Sequence, residues 1–186
     1  KHVPRAVHVD VAGFPLVLDL ADDEGEVIED VHPGEQITRP PSFKGKVKFE
    51  AELGVVIGKE CFDVSTQEVD DYIFGYTCVN DVTAPGTLFE EDGFTHWCRA
   101  KSYRIFGPIG PVIATDIDPD NLRVQGIIDG ENLHDYPVSD LIFGPRDLFR
   151  IILGYVTLLR VVVMCCASPL VGSDMSPGHT FYFVFG

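Results

Sequence analysis

The chain has 186 residues, 45% of them hydrophobic, with 13 Phe and 18 Gly, which describes a folded, turn-rich globule rather than a disordered segment. Lys and Arg number 14 against 29 Asp and Glu, and the resulting net charge of −15 argues against nucleic acid or a membrane surface as partner. The length suits a single domain over residues 1–186. Five cysteines, Cys61, Cys78, Cys98, Cys165 and Cys166, show no CxxC spacing, so the sequence predicts neither a zinc site nor a disulfide framework but thiols in a reducing, cytoplasmic setting. The first residues, which begin at Lys1 rather than Met, do not read as a secretory signal.

In chain order, the run "FPLVLDL" predicts a first strand, and the acidic stretch "ADDEGEVIEDVHPGEQ" a surface loop. In "KFEAELGVVIG", strand alternation places Val47, Phe49, Ala51, Leu53 and Val55 on one face and Lys48, Glu50, Glu52 and Gly54 on the other. Two carboxylates about 7 Å apart on one strand face repel unless water or a cation lies between them. The strand therefore either shows a polar side to solvent or contributes to a metal site that needs a third oxygen ligand from elsewhere. Ser65 to Tyr72 predicts a short helix capped by Ser65. The strand "YIFGYTCVN" ends just before Asp81, and "TLFEEDGFTHW" predicts a loop. The segment "RAKSYRIFGPIGP" sets Lys101 between Arg99 and Arg104, an island of positive charge in an acidic protein.

Further along, "GPVIAT" predicts a strand, and Asp129-Gly130 between two strand-like runs in "NLRVQGIIDGENL" is a two-residue hairpin signal. Pro145 to Leu153 has helical spacing, while "RVVVMCC" and "FYFVFG" suit strands. The apolar stretch from Ile151 to Gly172 carries Arg160 mid-span and changes pattern there, so it predicts a helix followed by a core strand rather than a membrane span. The fold class expected is mainly β (α+β), with a few short helices. Together Glu50, Glu52 and Asp81 offer three hard oxygen ligands, which suit Mg²⁺, Mn²⁺ or Ca²⁺ better than zinc.

Three blocks, "EAELGVVIGK", "GYTCVNDVTA" and "AKSYRIFGPIGP", resemble in order and spacing those of the fumarylacetoacetate hydrolase family. "DGENL", "SDLIF", "ASPLVG" and "SPGHTFYFVFG" extend the resemblance over nearly the whole chain, the last two being similar to the family's GTPxGVG and pGD segments. The resemblance implies a β-rich roll of the family's C-terminal domain type, assembled as a homodimer, with a divalent ion, Mg²⁺ first, held by Glu50, Glu52 and Asp81. It implies that Lys101 binds and polarises substrate and that Ser168, standing where the family commonly has Thr, lines the site. It also places His2 at the position of a lid histidine that activates water in members cleaving carbon–carbon bonds.

Several positions depart from the family pattern. Arg5 stands where the lid glutamate is expected, Asp19 where a lysine is, and "TAPG", with Pro85 and Gly86, where the family has TARD. The EPGD turn reads "LRVV" from Leu159 to Val162, and His179 replaces the Asp of pGD. These losses surround the substrate while the metal acids survive.

The activity these residues imply is metal-dependent chemistry on a small, anionic 2-oxo (β-diketo) acid. Such an acid chelates a hard ion through its carboxylate and keto oxygens, and the ion and Lys101 stabilise an enolate. The first expectation is carbon–carbon bond hydrolysis of the acylpyruvate or fumarylacetoacetate type. The alternatives are an oxaloacetate-type decarboxylase, a keto–enol isomerase, or a diverged cyclase or binding module that keeps only the metal site. Hydrolysis needs a general base, and His2 without its acid partner is a weaker one. His8, His32, His96, His134 and His179 are less suited still.

Overall fold

The computed structural model describes residues 7–9, 37–104, 106–169 and 172–186. Among these the structure is mostly antiparallel strand with few short helices, the class expected from the sequence. The expected strand "FPLVLDL" and the positions His2, Arg5, Asp19 and His32 lie outside the described residues.

Three sheets build the fold. The first carries β3 (Ala51–Ile57) between β4 (Ile73–Asn80) and β7 (Val163–Cys165). The second, of four strands, runs β1 (Val7–Val9), β9 (Phe181–Phe185), β5 (Arg123–Ile128) and β6 (Glu131–Pro137). The third pairs β2 (Val47–Phe49) with β8 (Ser173–Met175). β5 and β6 form the expected hairpin. Asp129 and Gly130 take φ of 50° and 85°, and this left-handed pair is the turn whose twist matches that of the flanking strands.

All seven residues of β3 are buried. Phe49, Ala51, Leu53, Val55 and Ile57 enter the main core, as their alternation predicts, beside Val124 of β5, Tyr136 of β6 and Met164 of β7. The opposite face is covered too, so Glu52 is only 3% exposed and the expectation of a solvent-facing polar side does not hold for it. Gly126 of β5 lies where the two larger sheets meet. A Cβ there would collide with the Phe49 ring and come within 2.8 Å of the Ala51 Cβ, so the close approach of β5 to β3 depends on a bare backbone.

Helices are short. α1 (Pro85–Leu88) and α2 (Trp97–Lys101) lie within and beside the stretch expected to be loop. α3 spans Pro145–Leu153, as its spacing predicts, with Pro at the first position and Phe149 and Leu153, four residues apart, fully buried. It ends there. Among the described residues no helix is long and apolar enough to cross a membrane.

Three local expectations are corrected. Ser65 to Tyr72 is not a capped α-helix but a 3-10 turn over Val69–Asp71, because the Ser65 hydroxyl bonds the Glu68 carboxylate instead of a backbone amide. "GPVIAT" makes only one isolated bridge, Ala114 to Tyr76, since Pro111 has no N–H to extend a ladder. The strand in "RVVVMCC" begins late, at Val163, because Val161 turns the chain with φ 64°.

Candidate metal centre

The run from Val47 to Ile57 is not one continuous strand. β2 stops at Phe49 and β3 starts at Ala51, leaving Glu50 between them. The amides at this break find other partners: the Glu50 N–H donates to the Asn80 side-chain oxygen at 3.2 Å, and the Ala51 N–H to His134 Nδ1 at 3.4 Å. β4 ends at Asn80, and the following residues turn back along the break. Asp81 N–H donates to the Glu50 carbonyl at 2.9 Å, while Lys48 and Thr83 exchange backbone bonds of 2.8 and 3.0 Å. This short antiparallel contact places the side chain of Asp81 beside those of Glu50 and Glu52.

The three carboxylates offer ligand oxygens that all lie within 4.8 Å of one another. Glu50 and Asp81 keep side chains 22% exposed, whereas Glu52 is buried beneath them. A Cβ at Gly172 would come within 2.6 Å of Glu50 Oε1, so the chain near β8 also encloses the cluster. Burial pushes the Glu52 carboxyl up to about 8, and the charge of Asp81 adds to this; Lys101 and the Ala167 N–H, which donates to Oε2 at 2.9 Å, oppose it.

Lys101 is the last residue of α2, and α2 is held against the segment after Asp81 by the Ala84 N–H bond to the Ala100 carbonyl, 3.0 Å, with Ala100 fully buried. Its ammonium donates to Asp81, to Glu50 at 3.3 Å and to the Thr83 hydroxyl at 3.0 Å. Partial burial alone would lower its pKa, but the hydrogen bond and charge of Asp81, then those of Glu50, raise it above the usual lysine value. The four residues taken from separated motifs are therefore one cluster. Three acids and one lysine leave excess negative charge in a partly enclosed space. Such a set of hard oxygen donors fits a divalent ion of the Mg²⁺, Mn²⁺ or Ca²⁺ type.

Ser168 follows Ala167, whose N–H caps Glu52, and its side chain lies beside the Tyr136 hydroxyl. His2 lies outside the described residues. Of the other histidines, His134 is fully buried as a backbone partner of Ala51, His96 pairs with Glu91 at 3.2 Å, and His179 lies 3.9 Å from Asp129. Arg99 pairs with Glu90 at 2.8 Å rather than joining Lys101. Pro85 and Gly86 open α1, where a Cβ at Gly86 would come within 3.0 Å of the Phe43 ring.

Some participants escaped the sequence. Thr83, in "NDVTA", donates its hydroxyl to Glu50 at 3.3 Å. Trp97 stands four residues before Lys101 on α2, and its ring lies 5.9 Å from the ammonium while 54% of the residue faces solvent. The i, i+4 spacing of Trp97 and Lys101 was the available signal, but it is visible only once residues 97–101 are known to be helical.

Residues 30–172 match the family model described as the C-terminal domain of fumarylacetoacetate (FAA) hydrolase. A relative from Methanocaldococcus jannaschii, itself uncharacterised, is 39% identical over 129 residues, which cover 69% of this chain and 53% of that protein. Among solved structures, 5-carboxymethyl-2-hydroxymuconate delta-isomerase from Mycobacterium smegmatis superposes with a TM-score of 0.71 at 32% identity, covering 75% of this chain and 55% of that one. 2-Hydroxyhepta-2,4-diene-1,7-dioate isomerase from Mycobacterium marinum gives 0.70 at 32% identity, with coverage of 75% and 54%. The chain spans about half the length of the curated relatives it matches.

Proposed function

Because the chain belongs to the fumarylacetoacetate hydrolase family, we propose that Glu50, Glu52, Asp81 and Lys101 form an enzyme centre that enolises a small 2-oxo acid with the help of a divalent ion. The observation that carries this is the convergence of three carboxylates within 4.8 Å, with the Lys101 ammonium hydrogen-bonded to two of them. Glu50, Glu52 and Asp81 would hold the ion, Mg²⁺ first, which supplies Lewis-acid chemistry to the carboxylate and keto oxygens of a bound oxo acid.

The remaining chemistry falls to the chain. Lys101, anchored by Asp81, Glu50 and Thr83, donates to the oxygen on which charge develops as the enolate forms, while the proton leaving the adjacent carbon passes to solvent water. Its hydrogen bonds fix that donor before substrate arrives, so little reorganisation is needed during the reaction. Thr83 orients Glu50, and Ser168 lines the rear of the site. The exposed ring of Trp97 offers an apolar face to the substrate carbons beyond the oxo acid group.

Isomerisation is the outcome we favour, since two solved relatives at 32% identity are isomerases by name and the enolate is the shared intermediate of such reactions. Carbon–carbon hydrolysis asks for a base placed to activate water against the carbonyl, and the acid expected to support His2 in that role is replaced by Arg5. A homodimer in a reducing, cytoplasmic setting, with residues 1–186 acting as one catalytic domain, belongs to the same proposal.

Proton–deuterium exchange at the carbon beside the keto group of oxaloacetate and acylpyruvates, followed by NMR in D₂O with Mg²⁺ or Mn²⁺, reads enolisation apart from later steps. We expect exchange well above that with metal alone, reduced about 10²-fold by Lys101→Ala. Exchange no faster than the metal control, or unchanged in Lys101→Ala, would show the assignment to be wrong. Appearance of pyruvate from an acylpyruvate would identify hydrolysis instead.

A further inference from the structure

Ala51, the residue between the two glutamates, has both its peptide groups gripped from the second sheet. Its N–H donates to His134 Nδ1 at 3.4 Å, and its carbonyl accepts from the Tyr136 hydroxyl at 2.8 Å. His134 and Tyr136 stand two apart on β6 and so point to the same face, and both are buried, at 0% and 2% exposure. Gly126 on the paired strand allows this face to reach Ala51 at all.

The Tyr136 hydroxyl also lies beside the side chain of Ser168. The preceding residue, Ala167, donates its N–H to Glu52 Oε2 at 2.9 Å, and it does so from φ 61°, a left-handed conformation that a non-glycine residue resists by about 1–2 kcal/mol. The contacts close a ring: from Glu52 back to Ala51, across to Tyr136, on to Ser168, along the chain to Ala167, and through its amide to the Glu52 carboxylate. One phenol thereby joins the strand that carries Glu52 to the strained loop that caps it.

We propose that Tyr136 is a positioning residue for Glu52, holding strand and loop together so that the buried carboxylate presents its oxygen to the metal. This rests on the reading of Glu50, Glu52 and Asp81 as a metal centre. Ligand carboxylates that are themselves hydrogen-bonded lose about 10–100-fold in metal affinity when an outer partner is removed. Tyr136→Phe keeps the ring in the core and removes only the hydroxyl, and Ser168→Ala breaks the same ring of contacts one step further on.

The test is a calorimetric titration of Mn²⁺ into chelator-stripped protein, with circular dichroism confirming that each variant is folded at the titration temperature. We expect Tyr136→Phe to bind Mn²⁺ at least about tenfold more weakly than the wild type, and Ser168→Ala to shift in the same direction. A purely structural hydroxyl would lower the unfolding midpoint and leave the affinity of the folded variant untouched. Wild-type affinity in folded Tyr136→Phe, or in Ser168→Ala should the first variant not fold, overturns the role of Tyr136 while the metal centre stands. A wild-type protein that takes up no Mn²⁺ overturns both together.

Discussion

Val161 is a β-branched residue at φ 64°, in a turn where the family's EPGD motif has glycine. The conformation is enforced by its neighbours: Val161 N–H donates to the Ile57 carbonyl at 2.7 Å, and Ile57 N–H to the Val162 carbonyl at 2.9 Å, so the turn is fastened to the end of β3. The cost of the left-handed backbone, about 1–2 kcal/mol, exceeds the entropy a glycine would lose on folding, about 0.5–1 kcal/mol. Val161→Gly should therefore stabilise the protein by about 1 kcal/mol in a urea unfolding curve. Its side chain is 43% exposed, so little packing is given up. The departure from the family pattern was legible in the sequence. Its cost was not, because only the backbone angle shows that the valine keeps the turn instead of abolishing it.

At the level of elements, the centre depends on how closely β5 and β6 approach β3. The hairpin itself follows from Asp129-Gly130, but nothing in "RVQGII" tells a reader that Gly126 faces Phe49 and Ala51 across two sheets. Gly126→Ala should cost about 1–3 kcal/mol in chemical denaturation, the range for forcing extra volume into a packed core. It should also move β6, and with it His134 and Tyr136, away from Ala51. α2 offers a parallel case. Residues 97–101 are too few for a periodicity to emerge, and this five-residue helix exists because it docks on α1 and on the chain after Asp81. That docking is what carries Lys101 from a separate motif to the acids.

Across the whole molecule, the charge of −15 repels an anionic oxo acid at long range, so the substrate proposed here would be captured only where Lys101 and a bound cation reverse the field. Stability also carries a pH signature. Burial pushes the His134 imidazole below its ordinary value of 6.5, with no charged partner to offset it. The unfolded chain then binds a proton that the folded protein refuses. The sign follows: His134 imposes no penalty above about pH 6.5, and stability is lost as pH falls from there toward its lower folded value. Unfolding free energies measured from about pH 7.5 down to about pH 5 should decline more steeply in the wild type than in His134→Gln, whose amide does not titrate. Equal slopes would remove His134 from the account.

The sequence by itself determined the β-rich class, the hairpin and α3, because alternation and turn chemistry are local properties, while Asp81 and Lys101 were singled out by the family resemblance rather than by any local pattern. It could not decide whether Glu50 and Glu52 faced water. That depended on a strand break at Glu50, on Asp81 and Thr83 folding back along it, and on Ala167 and Gly172 closing against the two carboxylates. Burial of Glu52 and its bracing through Tyr136 arise from contacts between distant residues, 85 apart for Tyr136 and Ala51 and 115 apart for Ala167 and Glu52. No local pattern encodes them, so only the tertiary structure brought the two acids together with Asp81 and Lys101.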